Sequence, residues 1–81
     1  MAKKYEYRQV QVQSGRVTFV NGVWQGTISP TGANQEKAFE SCPRPWEYLE
    51  RAGQDGWNLV AAFSQPVENE SYQVLYLNRE V

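Results

Sequence analysis

The sequence predicts an α+β fold: an antiparallel β-sheet of four to five strands with one α-helix packed on one face, in the order β-β-β-α-β-β. Three observations carry this. Asn21-Gly22 lies between two apolar runs, an amphipathic stretch runs from Pro45 to a glycine at position 56, and alternating apolar segments follow at Trp57 to Phe63 and Tyr72 to Arg79. At 81 residues the chain has room for one domain, spanning 1–81, with one core. A chain this short hides only about 60 to 65% of the surface that its unfolded form exposes.

Tyr5 to Val12 is rich in β-formers, with Tyr5 and Tyr7 on one parity and Val10 and Val12 on the other. Period-two geometry sends these pairs to opposite faces, so either a bulge near Arg8 and Gln9 switches the strand or both faces are partly covered. Ser14-Gly15 marks a turn. Arg16 to Val20 then meets Val23 to Ile28 across Asn21-Gly22, because a type I′ hairpin turn needs positive φ at both central residues. Ser29 to Asn34 reads as a loop, and Gln35 to Glu40 as a helical turn that carries Phe39 and depends on packing rather than propensity.

Pro43 and Pro45 stiffen the approach to the main helix, since proline pushes the residue before it out of the α region and suits the first helical position. Trp46, Leu49 and Ala52 or Gly53 recur at three- and four-residue spacing, which predicts a buried stripe, with Glu47, Glu50, Arg51 and Gln54 on the wet side. Gly53 then sits where an inward side chain is expected and brings the helix backbone close to the sheet, at about 1 kcal/mol of propensity relative to alanine. Gly56 is the expected left-handed residue that ends the helix. Trp57, Leu59, Ala61 and Phe63 alternate with Asn58, Val60 and Ala62, and two apolar faces predict a central strand. Ser64 to Glu70, with Pro66, is read as a hairpin loop, and Tyr72 to Arg79 as the closing strand.

The segments Tyr5-Glu6-Tyr7-Arg8, Leu49-Glu50-Arg51-Ala52-Gly53-Gln54-Asp55-Gly56-Trp57-Asn58-Leu59-Val60 and Leu77-Asn78-Arg79-Glu80 resemble the small bacterial domain-of-unknown-function family 4177. Members of that family open with a Tyr-Glu-Tyr-Lys type strand, carry a Gly-Trp-Glu-Leu-Val helix-to-strand turn and close with a Lys-Arg type pair. The likeness departs at Asn58, where the family commonly has Glu, and residues 14–44 match no pattern of it. The resemblance implies a fold and a bacterial source. It brings no activity and no catalytic residues.

The chain has no histidine, so the commonest general base and metal ligand are missing, and Ser-His and Cys-His nucleophile pairs have no base. Cys42 precedes the helix and lies two residues from Arg44, an arrangement that lowers a thiol pKa. With no resolving cysteine and no base it reads instead as a tolerated thiol in a turn. Glu47 with Glu50, and Glu68 with Glu70, are conceivable paired carboxylates. Helical spacing and a loop position make them solvated acids. Gly53-x-x-Gly56 ends a helix rather than preceding one, which excludes a phosphate-binding loop. No catalytic, cofactor or metal site is expected, and the chain reads as a non-enzyme.

Net charge is −1, with Lys3, Lys4, Arg8 and Arg16 against Glu6 in residues 1–35, and eight acids against four basic residues in the remainder. Counterion release needs clustered cations, so nucleic acid is disfavoured. No apolar run approaches the roughly 20 residues of a membrane span. No secretory signal is visible after Met-Ala-Lys-Lys, and the lone cysteine agrees with a reducing compartment, so a cytoplasmic location is expected.

One helix cannot cover all the aromatic surface. Trp46 and Trp57 are expected between helix and sheet, with Leu49, Gly53, Gly56 and Leu59 completing the core and turn. Tyr5, Tyr7, Trp24, Tyr72 and Tyr76 are the candidate partner surface on the second face. That surface suits a homo-oligomer or protein partner, because closing it hides apolar area that a short chain cannot otherwise bury. The expected function is therefore an interaction module that self-associates through a sheet face or edge. The alternative is a small-ligand or single-stranded nucleic-acid binder using the sheet aromatics with Arg8 and Arg16.

Overall fold

Two tight turns with left-handed residues organise the first half of the chain. Ser14 and Gly15 (φ 52° and 70°) connect β1 (Tyr5–Gln13) to β2 (Arg16–Val20), and Asn21 and Gly22 (φ 51° and 81°) connect β2 to β3 (Val23–Trp24). Both have positive φ at the two central residues, the geometry that Asn-Gly favours. The third strand is only two residues long. Asn21 also ties this turn to β1, since its Oδ1 accepts from the Gln9 N–H at 2.8 Å.

The computed structural model describes residues 2–31, 34–67 and 70–81. A short helix α1 (Gln35–Glu40) is capped by Asn34, whose Oδ1 accepts from the Lys37 N–H at 3.2 Å. The main helix α2 (Pro45–Gln54) follows, then β4 (Asn58–Val67) and β5 (Glu70–Glu80). All strand pairs are antiparallel, and the five-stranded sheet has the order β3-β2-β1-β5-β4. The first and last long strands thus lie side by side at its centre, Tyr5 opposite Glu80 and Val12 opposite Gln73.

β1 runs against β5 without a break, so no bulge at Arg8 and Gln9 switches its faces. Both faces are used instead: Val10 and Val12 are buried toward the helix, and the tyrosines point to the reverse side. The register shift lies between β1 and β2, where Gln11 pairs with Phe19 and Val12 with Val17. Thr18, the extra residue, is fully buried and donates through Oγ1 to Gln13 Oε1 at 2.9 Å.

The core lies under α2 and unites Val10, Val12, Val17, Val20, Leu75 and Leu77 of the sheet with Tyr48, Ala52 and Trp57, Leu49 packing at its margin. The buried helix stripe is therefore Tyr48, Leu49 and Ala52, a rotation away from the expected one. Trp46 is 63% exposed and lies outside the core. Gly53 is exposed too, with nothing within 4 Å of where a Cβ would be, so it mediates no close approach to the sheet. The reason is helical phase: at 100° per residue, positions 48, 49 and 52 share one face, whereas 46 and 53 fall together off its side. Gly56 has φ +90° and ends the helix, its N–H donating to the Gly53 carbonyl at 3.0 Å.

The second half departs further from expectation. The strand from Asn58 is outermost rather than central, and residues 58–66 are exposed. Leu59, expected in the core, is 49% exposed although it pairs with the buried Leu77, because it stands near the start of the outermost strand, which has a neighbouring strand on one side alone among the described residues. The expected loop from Ser64 to Glu70 is mostly ladder: Gln65 faces Tyr72, Pro66 faces Ser71 and Val67 faces Glu70. Glu68 and Asn69, like Gly32 and Ala33 of the earlier loop, lie outside the described residues. This hairpin runs past the end of the β1 ladder and gives the molecule extents of 52 × 27 × 19 Å. Its radius of gyration, 13.9 Å, exceeds the roughly 12 Å of a compact domain of this length.

Candidate functional site

Strand register sorts the aromatic residues. Residues directly opposite each other share a face, so Tyr5, Tyr7 and Gln9 of β1 lie on the reverse side with Glu80, Asn78 and Tyr76 of β5. Tyr72 joins them by parity. Phe19 and Trp24, opposite each other and in register with Gln11, are on that side as well. All five residues of the expected partner surface therefore share the reverse face, yet they do not form one patch.

A polar stripe divides them. Gln9, Gln11 and Gln13 run along the middle of the reverse face. On one side Trp24 packs edge-on against Phe19 (centroids 5.3 Å apart) and tilted against Phe39 of α1 (6.1 Å), and its Nε1 donates to the Ile28 carbonyl at 2.9 Å. Trp24 is thus engaged by the chain's own Ile28 and Phe39 and leaves the candidate surface. On the other side Phe63 and Tyr76 stack tilted at 5.9 Å over the ladder that holds buried Val74. Tyr5 and Tyr7 remain exposed at the sheet's end.

The exposed apolar surface concentrates on β4, which the aromatic composition did not single out. Val60 is 52% exposed and Phe63 46%, with Leu59 between them. Asn58–Val67, NLVAAFSQPV, contains no charged residue, and its outer edge pairs with no other strand among the described residues. Natural outer strands are usually short, charged, bulged or covered. Here the bulge at Val60 and Pro66 are the protective features, with five residues between them. Pro66 was the available sequence signal, since proline in a ladder is tolerated at an edge.

The helix side carries a polar cluster around Trp57, which is 7% exposed. The Arg8 and Arg79 guanidiniums lie over its ring, 4.2 and 4.5 Å from the centroid. Arg8 Nη1 also donates to Tyr48 Oη at 2.9 Å, Arg79 Nη1 donates to the Asp55 carbonyl at 3.0 Å, and Arg79 forms an ion pair with Glu6. Among the described residues no acceptor meets the buried Trp57 Nε1, a group whose desolvation costs about 1 to 3 kcal/mol. Beside this cluster a cavity of about 520 Å³ is lined by Arg8, Arg16 and Arg51 together with Glu40, Glu47 and Asp55. Arg8 and Arg16 thus meet at one cavity. Arg8 points to the helix side, away from the tyrosines with which it was expected to act.

Cys42 is buried, and its Sγ lies 3.6 Å from the Ala38 carbonyl. Burial pushes its pKa up, and the nearby Arg16 guanidinium opposes this only in part. The direction is opposite to that of an activated thiolate. Glu47 is occupied as a helix cap, its Oε1 accepting from the Arg44 N–H at 3.3 Å, while Glu50 is exposed. Among the described residues no group of three His, Cys, Asp or Glu is placed to hold a metal ion. Among the described residues no helix is long and apolar enough to cross a membrane.

Compared with protein-family models, curated proteins and solved structures, the chain matches none of them.

Proposed function

We propose that this chain is a non-enzymatic interaction module that self-associates through its sheet and acts as an accessory or adaptor in the bacterial cytoplasm. The observation that carries the reading is β4, a ten-residue outer strand without charge whose Leu59, Val60 and Phe63 are about half exposed. An apolar, uncharged outer strand left bare is an aggregation hazard, and a closed interface removes it. Kinship with the domain-of-unknown-function family 4177 belongs to the same proposal and adds no activity to it. Sedimentation velocity across micromolar concentrations tests the reading. A discrete oligomer is expected, and a strict monomer overturns it.

Small-ligand binding is a second reading, favoured by the cavity whose lining includes three arginines and three acidic residues. Its size falls in the range of ligand sites, and its balanced charge suits a compact ligand with both signs. Trp57 fluorescence is the probe, because Arg8 both lines the cavity and lies over that ring. Nucleic acid ranks below both: the tyrosines and Arg8 are on opposite sides of the sheet.

A further inference from the structure

We propose that the cavity between α1 and the reverse side of β1–β3 binds a small neutral ring compound that carries a hydrogen-bond acceptor, of the class of heteroaromatic amides. The cavity measures about 230 Å³ and is lined by the half-buried rings of Phe19, Trp24 and Phe39 together with Pro30, Gln13 and Gln35. It lies toward the β3 end of the sheet, away from β4, so it stands apart from self-association and from the charged cavity on the helix side.

The aromatic wall is built before any ligand arrives. Trp24 Nε1 donates to the Ile28 carbonyl at 2.9 Å, the Ile28 N–H donates to Ser41 Oγ at 3.2 Å, and Ser41 Oγ donates to the Ala38 carbonyl at 2.6 Å. This chain of bonds runs from the indole to α1. Gly26 packs against the same indole, where an added Cβ would lie 2.8 Å from Nε1. Phe19 and Phe39 contact the Trp24 ring edge-on and tilted. The one polar atom of Trp24 is thereby spent, and the three rings offer the cavity carbon alone. Side chains held in this way lose little freedom when a ligand binds.

The polar lining selects the class of ligand. Gln13 Oε1 accepts from the buried Thr18 hydroxyl at 2.9 Å, which fixes the amide and leaves its Nε2 a donor without a partner among the described residues. The ligand therefore supplies an acceptor. No charged residue is among the described residues that line the cavity, so an ionised carboxylate or phosphate would enter uncompensated. A sugar, with hydroxyls on every side, would leave most of them unpaired against two amides. A flat ring keeps its carbon surface against the aromatic side chains and turns one acceptor to Gln13. The volume lies below the range of drug-sized sites, which suits one ring or two fused rings.

Nicotinamide, a neutral ring with an amide carbonyl, is the probe, titrated into the 15N-labelled full chain while the indole N–H resonances are followed. Trp24→Phe assigns the Trp24 resonance by its loss. Nicotinamide is expected to shift that resonance saturably, with a Kd on the order of 1 mM, and to leave those of Trp46 and Trp57 in place. Gln13→Glu keeps an acceptor for Thr18 and removes the amide donor, so it should raise the Kd by about threefold to tenfold, the worth of one hydrogen bond. Phe39→Leu keeps the apolar bulk, removes a ring, and should weaken binding while the circular dichroism spectrum stays unchanged. No saturable shift at Trp24, or an equal shift of the exposed Trp46, overturns the site. Tighter binding of choline, benzoate or methyl glucoside overturns the ligand class. An unchanged Kd in Gln13→Glu overturns the donor assigned to Gln13.

Discussion

The Arg8 guanidinium lies 4.2 Å from the centroid of the Trp57 ring. The same side chain donates to Tyr48 Oη, so one residue of β1 ties the main helix to the start of the outer hairpin. Arg8→Ala removes the cation from the ring and leaves the hydroxyl of a buried tyrosine without its partner. The expected loss is about 1 to 3 kcal/mol, combining a cation–π contact with a charged hydrogen bond at a half-buried site. Arg8→Lys restores only part of it, because an ammonium cannot stack and donate in the same plane. Urea denaturation of the three proteins checks the order: wild type above Arg8→Lys above Arg8→Ala.

Trp46 and Trp57 have opposite fates, and their substitutions separate accordingly. Trp57→Ala is expected to cost about 3 to 5 kcal/mol, the range for removing a large buried aromatic, and to abolish cooperative unfolding in a chain this small. Trp46→Ala, at a site 63% exposed, is expected to change stability by no more than about 0.5 kcal/mol. Acrylamide quenching gives an independent readout. Deleting Trp46 removes the strongly quenched component of emission.

The same pair shows where the sequence was legible. Turns were readable because Asn21-Gly22 and Gly56 are chemically specific for positive φ, and the helix start was readable because Pro45 fits only there. The phase of the helix was not. A ten-residue segment offers two neighbouring stripes, and the size of Trp46 favoured the wrong one over Tyr48, whose hydroxyl has a partner only after β1 brings in Arg8. The order of the sheet was equally hidden, since apolar residues on both sides of β4 describe an interior strand and an uncovered edge alike. Of the candidate surface, register puts Tyr5, Tyr7, Tyr72 and Tyr76 on one face of the sheet without gathering them into one patch. Trp24 was lost to it because nothing local announces that Phe39 will fold back over the β2–β3 hairpin.

Two glycines three residues apart are expected to respond with opposite signs. Gly53 is exposed within the helix, and a Cβ there meets nothing within 4 Å, so Gly53→Ala should stabilise by about 0.5 to 1 kcal/mol. Gly56 has open space as well, but its φ of +90° is a conformation that side-chain-bearing residues resist. Gly56→Ala should therefore destabilise by about 1 to 2 kcal/mol. Thermal or urea denaturation of the two variants measures the sign directly. A loss of stability in Gly53→Ala would show that the helix packs closer than its exposed face indicates.

Cys42 makes stability depend on alkaline pH. Its pKa is raised above the ordinary value of 9.0, by burial against a smaller opposing effect of Arg16, so the folded chain holds the proton at pH values where the unfolded chain has released it. Stability falls with pH wherever the native state binds more protons. The contribution of this thiol is therefore fully present below 9.0 and is lost progressively as pH rises through the folded value. Denaturation of the wild type and of Cys42→Ala between pH 8 and pH 11 should show the wild type losing more stability than the variant as pH rises, and an unchanged difference between the two proteins contradicts this. Thiol labelling at pH 8 should run slower than in an unfolded control, and labelling as fast as that control would contradict the burial of Cys42 beneath α1.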